Sequence, residues 1–286
     1  MENYRFAFLS EKELPELHQT FLKAFADYYV PIQLTWEQFE AKIKREGVEP
    51  TFCAAAFHGD EMAGFILTGL GEWLRRPTAY NGGTGVVPEH RGQNLSQRLY
   101  EFMLPKLRES GMEQCLLEVL QQNEPAKKVY TTTGFRTTRV LDCFRTPKAD
   151  VLLRNTAADV TVEKALKPDW ATYTSFWDIQ PSWQNTVTAL RRCPAEKVVL
   201  EARLEDELVG YIIFYPSNGA VAQLAVDPTH RAKGIGTLLL QEALQLIKAP
   251  AVMLINVDEA GASIISFLER RHFKCVLVQE EMLLTL

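Results

Sequence analysis

The densest chemistry in the chain lies in residues 226–237, VDPTHRAKGIGT. An extended apolar run ends at Pro228, and an apolar helical stretch opens near Gly236. Between them stand Arg231, Ala232, Lys233, Gly234, Ile235, Gly236 and Thr237. Glycines let a backbone turn tightly and approach a ligand closely. The first N–H groups of the following helix then face an anion that its dipole also favours. Arg231 and Lys233 add positive charge, so the loop suits a diphosphate. It is not a G-x-x-x-x-G-K-[ST] loop, and Leu239 stands where a dinucleotide fingerprint needs its third glycine. The plain alternative is a strand–turn–helix connection whose glycines serve geometry alone.

The same order of residues occurs earlier in the chain. Residues 86–92, VVPEHRG, match 226–232, VDPTHRA, at an offset of 140. DEMAGFI at 60–66 matches DELVGYI at 206–212 at an offset of 146, and YTTTGF at 130–135 matches LERRHF at 268–273 at 138. Three matches in register imply a tandem duplication with loops of different length. In the first copy the loop reads Val86, Val87, then Arg91, Gly92, Gln93, Asn94, Leu95 and Ser96. Asn94 replaces the first glycine, and asparagine is the non-glycine residue most tolerant of a left-handed backbone.

A strand followed by V-x-P-x-x-R-x-x-G-x-G and an apolar helix resembles the acetyl-coenzyme-A site of the GCN5-related N-acetyltransferase (GNAT) family. Residues 231–236 match its R/Q-x-x-G-x-G/A signature fully. Residues 117–135, LEVLQQNEPAKKVYTTTGF, resemble the family's N-x-x-A-x-x-x-Y-x-x-x-G-F segment. The resemblance implies an α/β (α+β) chain of two tandem GNAT-like domains, 1–150 and 151–286. Each would be a mixed, mostly antiparallel sheet flanked by helices. It also implies transfer of an acetyl group from acetyl-CoA to a primary amine, the acceptor being a small molecule. By the same resemblance Tyr130 is the general acid for the departing thiolate and Asn123 a cofactor contact. A phenol with a reference pKa of about 10 is protonated at neutral pH and suits that role; the plain reading of Tyr130 is a core ring. In the second copy Leu268 stands at the Tyr130 place, Gly261 at the Asn123 place and His272 at the Gly134 place. One copy keeps the chemical residue with a worn loop, and the other keeps the loop without it.

The reaction passes through a tetrahedral intermediate whose oxyanion needs a donor. The family takes it from a backbone N–H on the strand before the loop, which is 83–87 in the first copy and 223–226, including Leu224 and Val226, in the second. A general base must neutralise the amine. Glu118 leads, with Glu72 second, each weighed against a solvated carboxylate. His90 and His230 read as loop residues without partners at metal spacing, so no metal is expected. Two further readings stay open: chemistry in the second copy, or coenzyme A binding without chemistry in one or both copies. Trp170, Trp177 and Trp183 read as packing before pocket wall, whereas Tyr28, Tyr29 and Trp36 fit either role.

The elements that position these residues follow from periodicity and caps. In the first copy strands are expected at 4–8, 52–57, 62–67, 79–87 and 114–120. Helices follow capping boxes at Ser10–Glu13 and Thr35–Gln38, start again at Leu95, and start at Asn123. Pro105 predicts a kink or early end near Arg108. The second copy repeats the order, with strands at 160–163, 198–204, 208–215, 220–226 and 251–257, helices at 235–247 and 262–271, and a helical stretch from Asp169. A linker is expected near 146–158.

Composition bounds the remainder. The chain has 286 residues, 47% hydrophobic and 23% charged, with a formal charge of −5. This is globular, and it argues against nucleic-acid binding. No apolar run suits a membrane span, and an N-terminus bearing Glu2, Glu11 and Glu13 does not read as a signal peptide. Cys53, Cys115, Cys143, Cys193 and Cys275 are odd in number and lack C-x-x-C, which fits a reducing cytoplasm. The expected state is a monomer or homodimer.

Overall fold

The computed structural model describes residues 4–29, 32–154, 157 and 159–286. Glu2 and positions 155, 156 and 158 of the expected linker lie outside them. The chain divides into two compact units. One holds residues 1–138, 188–194 and 280–286, and the other 139–187 and 195–279.

The first unit begins with β1 (Tyr4–Phe8), α1 (Leu14–Ala24) and α2 (Trp36–Glu46). Both expected capping boxes form, and Gly47 ends α2 in the left-handed region. β2 (Ala54–His58), β3 (Glu61–Trp73) and β4 (Arg76–Val86) follow as an antiparallel meander. β2 starts later than expected, because Pro50–Phe52 close a 3₁₀ turn capped by Glu49. α3 (Leu95–Glu109), β5 (Gln114–Leu120) and α4 (Glu124–Thr133) complete the set. α3 runs through Pro105 instead of ending there. Pro105 lies on the exposed face, where water can satisfy the carbonyl that loses its partner.

β6 (Arg136–Pro147) follows α4, and β7 (Val160–Lys164) opens the second series. Next come α5 (Trp170–Ser175), α6 (Val187–Arg192), β8 (Val198–Leu204), β9 (Glu207–Tyr215) and β10 (Ala220–Val226). α7 (Ile235–Leu246), β11 (Ala251–Asp258), α8 (Ala262–Glu269) and β12 (Lys274–Thr285) end the chain.

The strand order is β1-β2-β3-β4-β5-β12 in the first unit and β6-β11-β10-β9-β8-β7 in the second. Each repeat therefore surrenders its last strand. β6 pairs antiparallel with β11 from Ala251↔Pro147 to Asp258↔Leu141, and Phe144 joins the second core. Met282 and Leu284 of β12 are buried in the first core beside Leu117 and Phe135. β6 and β12 were not expected from the sequence. Their polar and charged residues (Arg139, Asp142, Arg145; Gln279, Glu280, Glu281) interrupt the alternation that marks a half-buried strand.

In both units the sheet opens beside the strand that precedes the loop. β4 pairs parallel with β5 only from Thr78↔Gln114 to Asn81↔Leu117. β10 meets β11 at Ala220↔Met253. Past these points the two strands diverge and leave main-chain polar groups facing a wedge.

Candidate functional site

The loop that follows the wedge strand has one geometry in both copies. Asn94 adopts φ 57° and Gly234 φ 86°, so each residue before the helix is left-handed. Asparagine pays a modest cost there and glycine none. Leu95 and Ile235 are buried and anchor the helix starts, while Gln93 and Lys233 are exposed. Neither α3 nor α7 carries a side-chain N-cap, whereas Thr35, Asn123 and Asp169 cap α2, α4 and α5. The first-turn N–H groups of α3 and α7 are thus left for another acceptor.

The arginine of each motif does something the sequence reading missed. Arg91 donates to both carboxylate oxygens of Asp27 at 2.6 and 2.7 Å, to the Ala24 carbonyl at 3.1 Å and to the Val86 carbonyl at 3.2 Å. Arg231 repeats this with Asp178 at 2.6 Å, the Phe176 carbonyl at 3.0 Å and the Val226 carbonyl at 3.1 Å. The guanidinium is a strut from the loop to the segment after the first helix of its copy. The hydrogen bonds from Arg91 hold the Asp27 carboxyl below the ordinary carboxylate range. A further in-register match carries the strut: Phe25-Ala26-Asp27 with Phe176-Trp177-Asp178.

The two wedges differ in what fills them. In the first copy Asn81 donates to the Tyr100 hydroxyl at 2.5 Å and to the Thr84 hydroxyl at 2.9 Å. Tyr130 is buried against the same group, its ring edge-on to Tyr100 and Phe135. Burial pushes its pKa up to about 12, while contact with Thr84 and Asn81 pulls the other way. Tyr130 is therefore both the core ring of the plain reading and a protonated phenol directed at β4. Asn123 caps α4 by accepting from the Ala126 N–H at 3.2 Å, and its amide donates to Tyr28 at 3.3 Å. Glu118 accepts from the Tyr80 hydroxyl at 2.6 Å. The Val87 N–H, expected among the cofactor donors, is spent on the Ala63 carbonyl at 3.0 Å. Glu72 lies in β3 and pairs with Pro77 near the far end of the β3–β4 hairpin, whereas the Val86 end lies opposite Gly64. The nine residue steps of β4 from Pro77 to Val86 span about 30 Å, which removes Glu72 from the site.

In the second copy the corresponding residues are Val221, Leu224, Leu240 and Leu268, and a cavity of about 490 Å³ opens there. Leu224, Val226, Ala232 and Gly234 to Thr237 line it, with Trp177 and Tyr211 on its wall. Trp177 is thus a pocket residue, while Trp183 is buried packing. Trp177 donates its indole N–H to the Tyr211 hydroxyl at 2.6 Å, which donates to Gln223 at 2.8 Å. Tyr211 also stacks on Tyr173 at 3.9 Å. Asn256, at the Glu118 place, forms a bulge in β11 with φ 59° and also lines the cavity. Such strained positions gather at functional sites. Its side chain is held by Gln279 at 2.7 Å. His230 is brought within 4.8 Å of ligand atoms of Glu207 and Asp227, a grouping invisible in the linear spacing.

The profile of the Acetyltransferase (GNAT) family matches residues 13–135 and again 163–273. The chain belongs to that family. Among curated proteins, a mycothiol acetyltransferase from Thermobispora bispora is 34% identical over 122 residues, covering 40% of this chain and 39% of that protein. The match spans about two fifths of the relative's length. Among solved structures, a tandem GNAT protein from the clavulanic acid biosynthesis pathway shares the fold. Its TM-score is 0.75 at 14% identity, over 99% of this chain and 98% of that one. A GCN5-related N-acetyltransferase from Sphaerobacter thermophilus gives TM-score 0.72 at 16% identity, over 99% and 95%. The duplication read from the sequence is thus a pair of GNAT domains.

Proposed function

We propose that this GNAT protein transfers an acetyl group from acetyl-CoA to the primary amine of a small molecule, and that the second copy holds the donor. The observation that carries the reading is the cavity of about 490 Å³ along β10 that ends on the uncapped start of α7. The residues present suit the donor. The α7 N–H groups and the left-handed Gly234 fit a diphosphate, Arg231 fixes the loop through Asp178, and Leu224 and Val226 offer strand edge to the amide-bearing arm. When bound, acetyl-CoA supplies the activated acyl group. Tyr211 and Gln223 are positioned to orient an acceptor, and Asn256 shapes the opposite strand. Leu268 has no proton to give, so in this copy the proton that the acceptor amine gives up would reach the leaving thiolate through solvent.

In this reading residues 1–150 and 151–286 are the two copies, and the protein works in the cytoplasm as a monomer or homodimer. Among the described residues no helix is long and apolar enough to cross a membrane. Calorimetric titration with acetyl-CoA tests the assignment. One site per chain is expected, lost in Gly234→Val together with thiol release on a panel of primary amines. Binding that survives Gly234→Val would overturn the placement, and no binding at all would overturn the donor.

One observation favours a second reading, with chemistry in the first copy. Tyr130 is a protonated phenol directed at β4, and Glu118 is held at 2.6 Å from Tyr80. There Tyr130 would be the acid and Glu118 the base, with donor contacts at Val86, Arg91 to Ser96 and Asn123. Loss of turnover in Tyr130→Phe with donor binding intact would select it.

A further inference from the structure

Three arginines, Arg154, Arg270 and Arg271, line the second-copy cleft, and Arg271 reaches the start of α7. None of them forms an ion pair among the described residues. Arg270 donates to Ser266, within its own helix. Arg271 donates to the Phe267 carbonyl at 2.9 Å and to the Thr237 hydroxyl in the first turn of α7. Its guanidinium lies over the Phe267 ring at 3.6 Å, and its buried Nε has no partner. Cations are disfavoured at a helix N-terminus, where the dipole is already positive. Burial and the neighbouring Arg270 accordingly lower the Arg271 pKa. Asp178, the carboxylate on the cleft wall, is taken by Arg231. The positive charge here has no protein counterpart, and an anion from outside would supply one.

The number and kind of cations define that anion. The diphosphate of the donor needs the N–H groups of α7. Arg154, before β7, and Arg270 and Arg271, just past the end of α8, then face a second, separate anionic group. A phosphomonoester carries about −1.5 to −2 charge at neutral pH with three acceptor oxygens. The forked donors of arginine match such a group better than a single-point cation does.

We propose that Arg154, Arg270 and Arg271 form a phosphomonoester subsite that reads the ribose 3′-phosphate of the donor, so that the second copy selects coenzyme A over dephospho-coenzyme A. The subsite rests on the donor reading above. An acidic group on the acceptor would share the chemistry, and the test separates the two.

Full-length protein is titrated with coenzyme A and with dephospho-coenzyme A, by calorimetry and by quenching of tryptophan fluorescence, since Trp177 lines the cleft. Coenzyme A is expected to bind about 10–100-fold more tightly, the range of one to two charge-assisted hydrogen bonds. Arg270→Gln with Arg271→Gln is expected to lower coenzyme A to the dephospho level and leave dephospho-coenzyme A within about twofold. Arg271 touches Thr237, so Arg270→Gln alone, at an exposed position, provides a variant that keeps its fold and should remove part of the discrimination. Equal affinity of the wild type for both nucleotides would overturn the subsite while leaving the donor reading intact. So would an equal loss for both in the variants. Equal affinity combined with variant-sensitive binding of an acidic amine would move the arginines to the acceptor. If neither nucleotide binds, both readings fall.

Discussion

The loops at 88–96 and 228–236 share a backbone and a strut but not a wedge. Arg91 and Arg231 make the same three kinds of contact at nearly the same distances. Asn94 reproduces the left-handed turn of Gly234. Beyond the loop the copies part: Asn81, Thr84 and Tyr100 are joined by hydrogen bonds beside the buried Tyr130 in the first copy, and Val221, Leu224, Leu240 and Leu268 stand at those places in the second, where the cavity of about 490 Å³ opens. The difference teaches that the motif loop is a scaffold element retained by both copies. In the reading proposed above, the residues between the diverging strands decide the capacity for a ligand.

The largest expected effect tests whether the first copy stands by itself. Met282→Ala or Leu284→Ala removes a buried side chain contributed by the last strand. Each should cost the first unit about 2–5 kcal/mol in urea denaturation, and a chain ending at residue 150 should fail to fold. Cooperative unfolding of that fragment would show that β12 is dispensable. Next in size is the pair of loop substitutions. Gly234→Val forces a β-branched residue into the left-handed region and should weaken acetyl-CoA about 100-fold or more. Asn94→Val should change it less than about twofold; equal effects would place donors in both copies.

The struts give a finer contrast. Asp27→Ala and Asp178→Ala each remove an exposed ion pair and should leave stability nearly unchanged in urea denaturation. Only Asp178→Ala should also weaken donor binding, by about tenfold in calorimetry. Asn94→Gly asks whether the asparagine in the loop limits donor binding in the first copy. It should raise stability by no more than about 1 kcal/mol and leave one donor site per chain; a second site would implicate the loop.

The smallest effect belongs to Tyr130. Its pKa is raised to about 12 in the folded chain by burial, against an ordinary value near 10. Unfolded chains therefore release this proton first. Its contribution to stability is whole below pH 10 and is lost as pH climbs towards 12. Tyr130→Phe should flatten the fall of melting temperature over that window and leave turnover within about twofold. A large loss of turnover would shift the chemistry to the first copy.

Much of this was legible in the residues. Both capping boxes, the Asn123 cap and the left-handed Gly134 are local chemistry, and they lie where spacing put them. The duplicated loop was legible for the same reason. The strut was half visible: Arg91 and Arg231 were read as charges for a phosphate, because an aspartate 53 or 64 residues away leaves no local trace. β6 and β12 were missed because alternation is read against a strand's own faces, and here polar residues intrude on them. Arg270 and Arg271 fell at a helix end with no motif, and only the fold brings Arg271 to Thr237 and both to the cleft.

The surrendered strands also set an order in time. A ribosome releases the first unit's residues up to 138 long before residues 280–286, which that unit also needs. At about 5–20 residues per second the first sheet waits roughly 7–30 s for its closing strand. Until then β5 offers an unpaired edge to whatever extended segment passes, which is the hazard of any open sheet edge. Nascent first-half chains should therefore be the stage at which this protein most needs a chaperone.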